Sequence, residues 1–253
     1  MNKLISLTRV RRKLKKGDIS VGSWIQIPDG SSAEIMGSSD YDWVAVDLEH
    51  GSISNGKLPN LFRALELGDT LPFARVIEPT ERECKMALDA GAAGIILPNI
   101  KNATHLESAI NFCKWPPKGT RGVGFSRANL FGQNFQDYFS LAHKPFIVAM
   151  IEHIDAANQI DSILSVEGLD AIFIGPYDLS ASMNITGEFS SEQFKKIRVK
   201  MLKACKQHNI PCGIHQVDPD EKELNKRVKE GFTFIAYSLD SVFLEKNSTN
   251  PIK

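Results

Sequence analysis

The sequence predicts an α/β protein folded as a closed (β/α)₈ TIM barrel, and three observations predict it. Short apolar runs rich in β-branched residues alternate with helical patterns, and eight such runs can be counted along the 253 residues. Parallel strands joined by helical crossovers are the expected consequence. No composition break marks a linker, so residues 1–253 read as one barrel domain carrying a short N-terminal helical segment over about 6–16. No Gly-x-Gly-x-x-Gly tract opens the first helix, which removes the signal of an open dinucleotide-binding sheet. Eight strand–helix units in about 250 residues suit a closed barrel.

The elements follow in order. A basic helix over 6–16 stops at Gly17 and Asp18, and a strand over 20–27 ends in the turn residues Pro28, Asp29 and Gly30. Ser32 is read as the cap of a short helix to Met36, and 42–47 as the second strand. Leu58, Leu61, Phe62 and Leu65 give a helix over 58–67 its apolar face, with Gly68 as its stop. The third strand covers 71–76 and carries Arg75 near its end. Thr80 and Glu83 form a capping box for a helix over 80–90 that Gly91 ends. Strand four covers 94–97 and breaks at Pro98, and a helix over 103–113 follows. Residues 115–145 read as one long irregular connection, a length that often marks a functional loop. Strand five (146–151) runs into Glu152, a helix covers 155–164, and strand six (171–174) runs into Gly-Pro-Tyr-Asp. A long helix over 192–208, strand seven over 211–214, a helix over 219–230 and strand eight over 233–237 complete the count.

Composition narrows the function. Hydrophobic residues make up 42%, ample for a large core, and 30 Lys and Arg balance 30 Asp and Glu. No basic surplus points to nucleic acid or an anionic membrane as partner. The longest apolar runs fall far below the roughly 18 residues that span a bilayer. Met1 to Lys16 is basic but lacks the apolar core of a secretory signal. The four cysteines sit at no zinc-like or Cys-x-x-Cys spacing and read as reduced thiols of a cytoplasmic protein.

The chemistry-bearing residues gather where strands end. Asp42-Trp-Val-Ala-Val-Asp-Leu-Glu-His-Gly51 is an apolar strand that breaks into Asp47, Glu49 and His50. A barrel places its chemistry just beyond the C-terminal ends of the strands. His50, Arg75, Glu152 and Asp178 fall there, after strands two, three, five and six. The structural alternatives are solvated strand-end acids and an Arg75–Glu78 ion pair. His105, His143, His153 and His208 read as surface, packing or helix-start residues, and His215, after strand seven, as a minor candidate.

The ordered set of motifs resembles the HpcH/HpaI aldolase family, metal-dependent pyruvate aldolases on a (β/α)₈ barrel of the phosphoenolpyruvate/pyruvate-domain type. The matching residues are Gly22-Ser-Trp, Val46-Asp-Leu-Glu-His-Gly51, Arg75, Leu97-Pro98, Pro116-Pro-Lys-Gly-Thr-Arg-Gly-Val-Gly124, Ile151-Glu152 and Ile174-Gly-Pro-Tyr-Asp-Leu-Ser180. They run in family order from about residue 20 to residue 240. By that resemblance Glu152 and Asp178 are the carboxylate ligands of a divalent cation. Two carboxylates suit a hard ion such as Mg²⁺ or Mn²⁺, and the resemblance also admits Co²⁺. His50 is implied as the acid/base residue, Arg75 as the cation beside the enolate oxygen, and Asp89 as a support for the histidine. Asp47 and Glu49 are implied to order the hydrogen bonds around them. Gly175, Pro176, Tyr177 and Met150 are implied at the substrate, Met150 standing where some members carry glutamine. Asn184 replaces the usual glycine, which asparagine's tolerance of left-handed angles permits.

The chemistry implied is cleavage or formation of a 4-hydroxy-2-keto acid through a pyruvate enolate, with pyruvate and an aldehyde as small-molecule partners. A Schiff-base route needs a strand-end lysine, and the strands as drawn contain none. Two further readings are a citrate- or acyl-CoA-type synthase or lyase with the same metal–enolate site, and a keto-acid-binding barrel without turnover. The resemblance also implies a homo-oligomer, a hexamer or trimer of dimers.

Overall fold

The computed structural model describes residues 2–252. Eight parallel strands close in sequence order, each pairing with the next and the first with the eighth. The order is α1 (Lys3–Lys15), β1 (Ser20–Ile25), α2 (Gly30–Gly37), β2 (Trp43–Asp47), α3 (Leu58–Leu67), β3 (Leu71–Arg75), α4 (Glu81–Ala90), β4 (Gly94–Leu97) and α5 (Ala103–Cys113). It continues with α6 (Phe135–Ala142), β5 (Phe146–Ile151), α7 (Ile154–Asn158), α8 (Ile160–Leu164), β6 (Ala171–Ile174) and α9 (Pro176–Ser182). The last elements are α10 (Glu192–His208), β7 (Cys212–Gln216), α11 (Glu221–Glu230), β8 (Phe234–Leu239) and α12 (Asp240–Asn247).

Side-chain alternation along the strands makes two cores. Outward residues such as Val44, Val46, Ile95, Ile147, Ile172 and Ile235 join the surrounding helices in one cluster. Inward residues fill the barrel with a belt of rings in which Trp43 stacks on Phe73 and Phe234, at centroid distances of 5.4 and 4.6 Å, and Phe146 packs against both phenylalanines. Gly22 makes room for that belt, because a Cβ there would lie 2.2 Å from the Trp43 ring. With the middle of the barrel filled, polar side chains are pushed to its two ends.

The basic helix of the sequence becomes a plug for the N-terminal end. Leu7, Val10 and Leu14, at helical spacing, are buried in the inner cluster. Arg11 anchors the plug through two bonds to Asp170, at 2.6 and 2.8 Å, and through bonds to the carbonyls of Lys144 and Pro145.

Several local expectations shift. Asp29 rather than Ser32 caps α2, because its carboxylate reaches the Ser31 amide. The stretch 115–145 is not wholly irregular: a tight 3₁₀ segment (Arg127–Gly132) and α6 lie within it. It joins α5 to β5 and so lies at the end of the barrel opposite the strand C-termini. The helix expected over 155–164 breaks at Gln159 into α7 and α8. β7 extends two residues further than the expected 211–214, to include His215 and Gln216. α12 follows β8 with Asp240 at its first position.

Candidate active site

Strand register builds the first half of the mouth. Asp47 and Arg75 are paired neighbours at the ends of β2 and β3, and both face inward. Arg75 Nε donates to Asp47 Oδ1 at 2.9 Å and Nη2 to Oδ2 at 2.6 Å, while Nη1 lies 3.3 Å from Glu49 Oε2. The guanidinium also lies over the Trp24 ring, 4.7 Å from its centroid. The Glu78 pairing is therefore displaced by the two acids of the Asp-Leu-Glu-His turn. Asp47 holds that turn too, accepting the backbone N–H groups of Glu49 and His50 and an amide hydrogen from Gln26. Burial pushes the Asp47 carboxyl up, but the bonds and charge of Arg75 outweigh it and hold the group below the ordinary carboxylate range. Two of Arg75's five N–H groups bond Asp47, and Nη1 stands in ion-pair range of Glu49 without a hydrogen bond, so three N–H groups remain.

The second half comes from β5 and β6. Phe146, Val148, Met150 and Glu152 alternate inward, so the series that fills the barrel ends in a carboxylate 4% exposed. Glu152 Oε2 accepts the Asn99 N–H at 2.7 Å, from a backbone turned left-handed at φ 51°. Gly175 is required beside it, since a Cβ there would lie 2.6 Å from Glu152 Cγ. Asp178 follows on the first turn of α9, exposed, behind Gly175 and Pro176. Burial pushes Glu152 up to about 7, aided by the charges of Glu49 and Asp178 and opposed by the Asn99 amide and Arg75. Glu49 is raised as well, by burial first and then by Asp47 and Asp178. Asp47, Glu49 and Glu152 thus share the charge of one guanidinium, and Asp178 adds a further negative charge beside Glu49 and Glu152.

That surplus of oxygen-bearing negative charge fits a divalent cation. Among the described residues no group of three or more His, Cys, Asp or Glu is arranged to hold a metal, and the two acids expected as ligands, Glu152 and Asp178, interact as like charges at this mouth. A two-carboxylate site leaves coordination positions for small oxygen ligands, the usual arrangement for Mg²⁺-like ions.

The model of the HpcH/HpaI aldolase/citrate lyase family matches residues 21–246. The chain belongs to this family. It is 30% identical over 241 residues to a hydroxypyruvate/pyruvate aldolase of Roseobacter denitrificans, covering 94% of this chain and 93% of the relative. It is 31% identical over 224 residues to a 5-keto-4-deoxy-D-glucarate aldolase of Citrobacter koseri, covering 88% and 86%. Among solved structures, an HpcH/HpaI aldolase/citrate lyase family protein of Burkholderia cenocepacia superimposes with a TM-score of 0.88 at 26% identity, covering 94% of this chain and 95% of that one. As a member the chain is an aldolase-type carbon–carbon lyase, and no helix among the described residues is long and apolar enough to cross a membrane.

Within this HpcH/HpaI barrel the expected residues separate into two groups. Asp47, Glu49, His50, Arg75, Met150, Glu152, Gly175, Pro176, Tyr177 and Asp178 gather at the strand C-termini. Met150 lies buried one inward position below Glu152, and exposed Tyr177 packs edge-on against Phe189 at 4.9 Å. His50 is exposed, and its imidazole has no hydrogen bond among the described residues. Asp89 stands apart, on the last turn of α4 towards the N-terminal end. Burial raises its carboxyl against the opposing charges of Arg121 and Lys85, so its neighbours are there and not at His50. Asn184 takes the left-handed backbone expected of it, at φ 59°.

Two contributors are missing from the sequence reading. Gln26 continues the inward series Gly22, Trp24, and a period-two reading carried one step past β1 would have flagged it. Asn99 acts through its backbone N–H on Glu152 and through Nδ2, which donates to Glu49 Oε1 at 3.4 Å, and its only signal is an asparagine after Leu97-Pro98, where a left-handed turn is tolerated.

Proposed function

We propose that the protein is a divalent-metal-dependent aldolase that joins pyruvate to an aldehyde, or cleaves the resulting 4-hydroxy-2-keto acid, through a pyruvate enolate. The observation carrying this reading is the buried Glu152, raised to about 7 beside Asp178 and Glu49, a carboxylate whose proton a cation can replace. Glu152 and Asp178 would hold the ion. When bound it supplies Lewis acidity, drawing electrons towards the keto group of pyruvate.

The remaining work belongs to the chain. Asp47 holds the Arg75 fork through two hydrogen bonds and Glu49 faces it as an ion-pair partner before substrate arrives, and its three free N–H groups present fixed positive charge to the enolate oxygen. A preorganised donor of this kind is worth roughly 3 kcal/mol. In the synthetic direction His50 takes a proton from the pyruvate methyl carbon. That carbon's electron pair then forms the bond to the aldehyde carbon, and the aldehyde oxygen receives the proton from His50. Cleavage runs the same steps backwards, with no oxidant or reductant. An exposed imidazole free of other bonds is suited to this exchange.

Exposed Phe125, Phe131 and Phe139 on the 115–145 stretch, 74%, 65% and 42% accessible, support a homo-oligomer that covers them. Four free, buried cysteines fit a cytoplasmic setting.

Incubation with pyruvate, a panel of aldehydes and Mg²⁺, Mn²⁺ or Co²⁺, followed by product mass, tests the reading. The expected product weighs the sum of its two reactants and is absent with excess chelator. Equal product in metal-stripped protein, or none under any condition, would overturn the proposal.

A further inference from the structure

The aldolase reading leaves one half-buried titratable side chain at the mouth without a task. His215 lies on the last turn of pleat in β7, facing inward, with its ring 5.4 Å from that of Trp24. Arg75 stacks on the same indole, so Trp24 stands between the proposed enolate cation and this imidazole. His215 Nε2 faces the carbonyl of Ser238 at 3.3 Å. A carbonyl only accepts, so Nε2 carries the proton and Nδ1 is left as an acceptor. No group among the described residues donates to Nδ1.

The neighbouring residue repeats the pattern. Gln216 gives both amide hydrogens to backbone carbonyls, of Asp218 and Asp220, at 3.0 and 2.7 Å. Its Oε1 is buried without a partner. His215 and Gln216 line a cavity of about 210 Å³ with Pro176 and Tyr177, the residues that lead into Asp178. The volume falls below the roughly 300–1,000 Å³ of sites for drug-sized ligands, so it admits a short chain.

Charge decides what kind of chain. For both Glu49 and His215, Arg75 is the basic side chain whose charge acts on the group. Arg198 and Arg227, also on the cavity wall, are already engaged by Glu230 and Glu223. Lys101 is exposed on the β4–α5 connection, across the barrel from β8. An aldehyde ending in a carboxylate would meet surplus acids and acceptor atoms here, and among the described residues the two guanidinium groups on the cavity wall are already paired with acids.

We infer that the acceptor is a short, uncharged hydroxyaldehyde whose hydroxyl donates to His215 Nδ1, making His215 a specificity-determining residue. The inference rests on the aldolase reading and names its acceptor class. An uncharged imidazole is maintained for this by burial and by Arg75, which lower the group to about 4. A hydroxyl satisfies the free acceptor, an alkyl chain leaves it unpaired in a half-open cavity, and a carboxylate is repelled by it.

The experiment compares glyceraldehyde, propanal and succinic semialdehyde as acceptors for pyruvate with added Mg²⁺, in the wild type, His215→Leu and His215→Asn. Exchange of the pyruvate methyl protons with deuterated water is followed in parallel, since that half-reaction needs no aldehyde. The wild type should favour glyceraldehyde over both others by at least about tenfold in kcat/KM. His215→Leu should lose about 10- to 100-fold for glyceraldehyde, mainly through KM, with propanal changed by less than about threefold. His215→Asn, which retains an acceptor, should recover part of the loss. Exchange should persist in both variants. A wild-type preference for succinic semialdehyde, or equal losses on glyceraldehyde and propanal in His215→Leu, would overturn the inference while leaving the aldolase reading intact. Absence of exchange in the wild type would instead overturn the enolate reading, and this inference with it.

Discussion

The two ends of the barrel use the same ion pair for different ends. At the N-terminal end Arg11 makes a two-bond contact with Asp170, and at the mouth Arg75 makes one with Asp47. Around Arg11 the remaining donors and acceptors close on structure: its guanidinium reaches two carbonyls, and Asp170 accepts the Ile147 amide. Lys3 and Arg127 likewise share Glu66 and bond the carbonyls that end α4. Around Arg75 the charges do not close. Three further acids crowd the same space, and the cost appears as raised carboxyls at Glu152 and Glu49. A stable fold gains nothing from that surplus, and local violations of this kind concentrate where chemistry is done.

The comparison breaks most visibly at the proposed metal ligand. Glu152→Ala or Asp178→Ala should lower enolate formation by on the order of 10³ or more, since the electron sink is lost. Metal affinity, measured by Mn²⁺ titration, should fall in step, while the circular dichroism of the barrel is retained. Arg75→Lys keeps a charge but loses the planar fork held by Asp47 and Glu49. Turnover should slow by about 10²-fold, with Mn²⁺ affinity nearly unchanged. A parallel loss of metal affinity would mean that Arg75 acts through the cation site instead.

Acidity sharpens the contrast without any substrate. Glu152 holds its proton in the folded chain up to about 7, whereas the unfolded chain releases it near 4.5. Its contribution to stability is therefore full below about 4.5 and is lost as pH rises through about 7. His215 runs the other way: its folded value of about 4 lies below the ordinary 6.5, so its contribution is present above 6.5 and lost as pH falls through about 4. Denaturant midpoints of chelator-treated protein across this range should show Glu152→Gln removing the decline towards neutral pH. They should show His215→Leu removing the decline towards acid. Curves parallel to wild type in either variant would reject the assigned cause.

The smallest catalytic effect is expected at the other end. Arg11→Ala should lower stability by about 1–3 kcal/mol, because Asp170 loses its charged donor. Turnover per folded molecule should stay as in wild type. A variant that folds but loses turnover would remove the distinction between the two ends.

How much of this was legible in the sequence follows from which forces the sequence records. Strand positions were legible because each inward and outward face carries its own apolar pattern. The strand-end residues His50, Arg75, Glu152 and Asp178 were legible because the apolar run stops at or just before them. β7 was read short since His215 and Gln216 look like loop, and only closure of the barrel keeps them paired with β8. The Arg75–Asp47 pair depends on register between strands 28 residues apart in sequence, which no local pattern encodes. Asp89 was placed by spacing from Arg75, yet a helix of that length carries it to the opposite end of the barrel. The bond from Asn99 to Glu152 depends on a backbone conformation, invisible to a reading of side-chain types.

The central claim is that the unbalanced acids of the mouth are a site for enolate chemistry, and the most direct test omits the aldehyde. Pyruvate in deuterated water, with protein and Mg²⁺ or Mn²⁺ (the paramagnetic ion removed before spectra are taken), reports the methyl protons by NMR. The account predicts loss of the methyl signal with wild-type protein and metal. It predicts none above the protein-free rate with chelator, with Glu152→Ala or with Asp178→Ala. Retention of the methyl signal over hours by wild-type protein that binds both pyruvate and metal would contradict it.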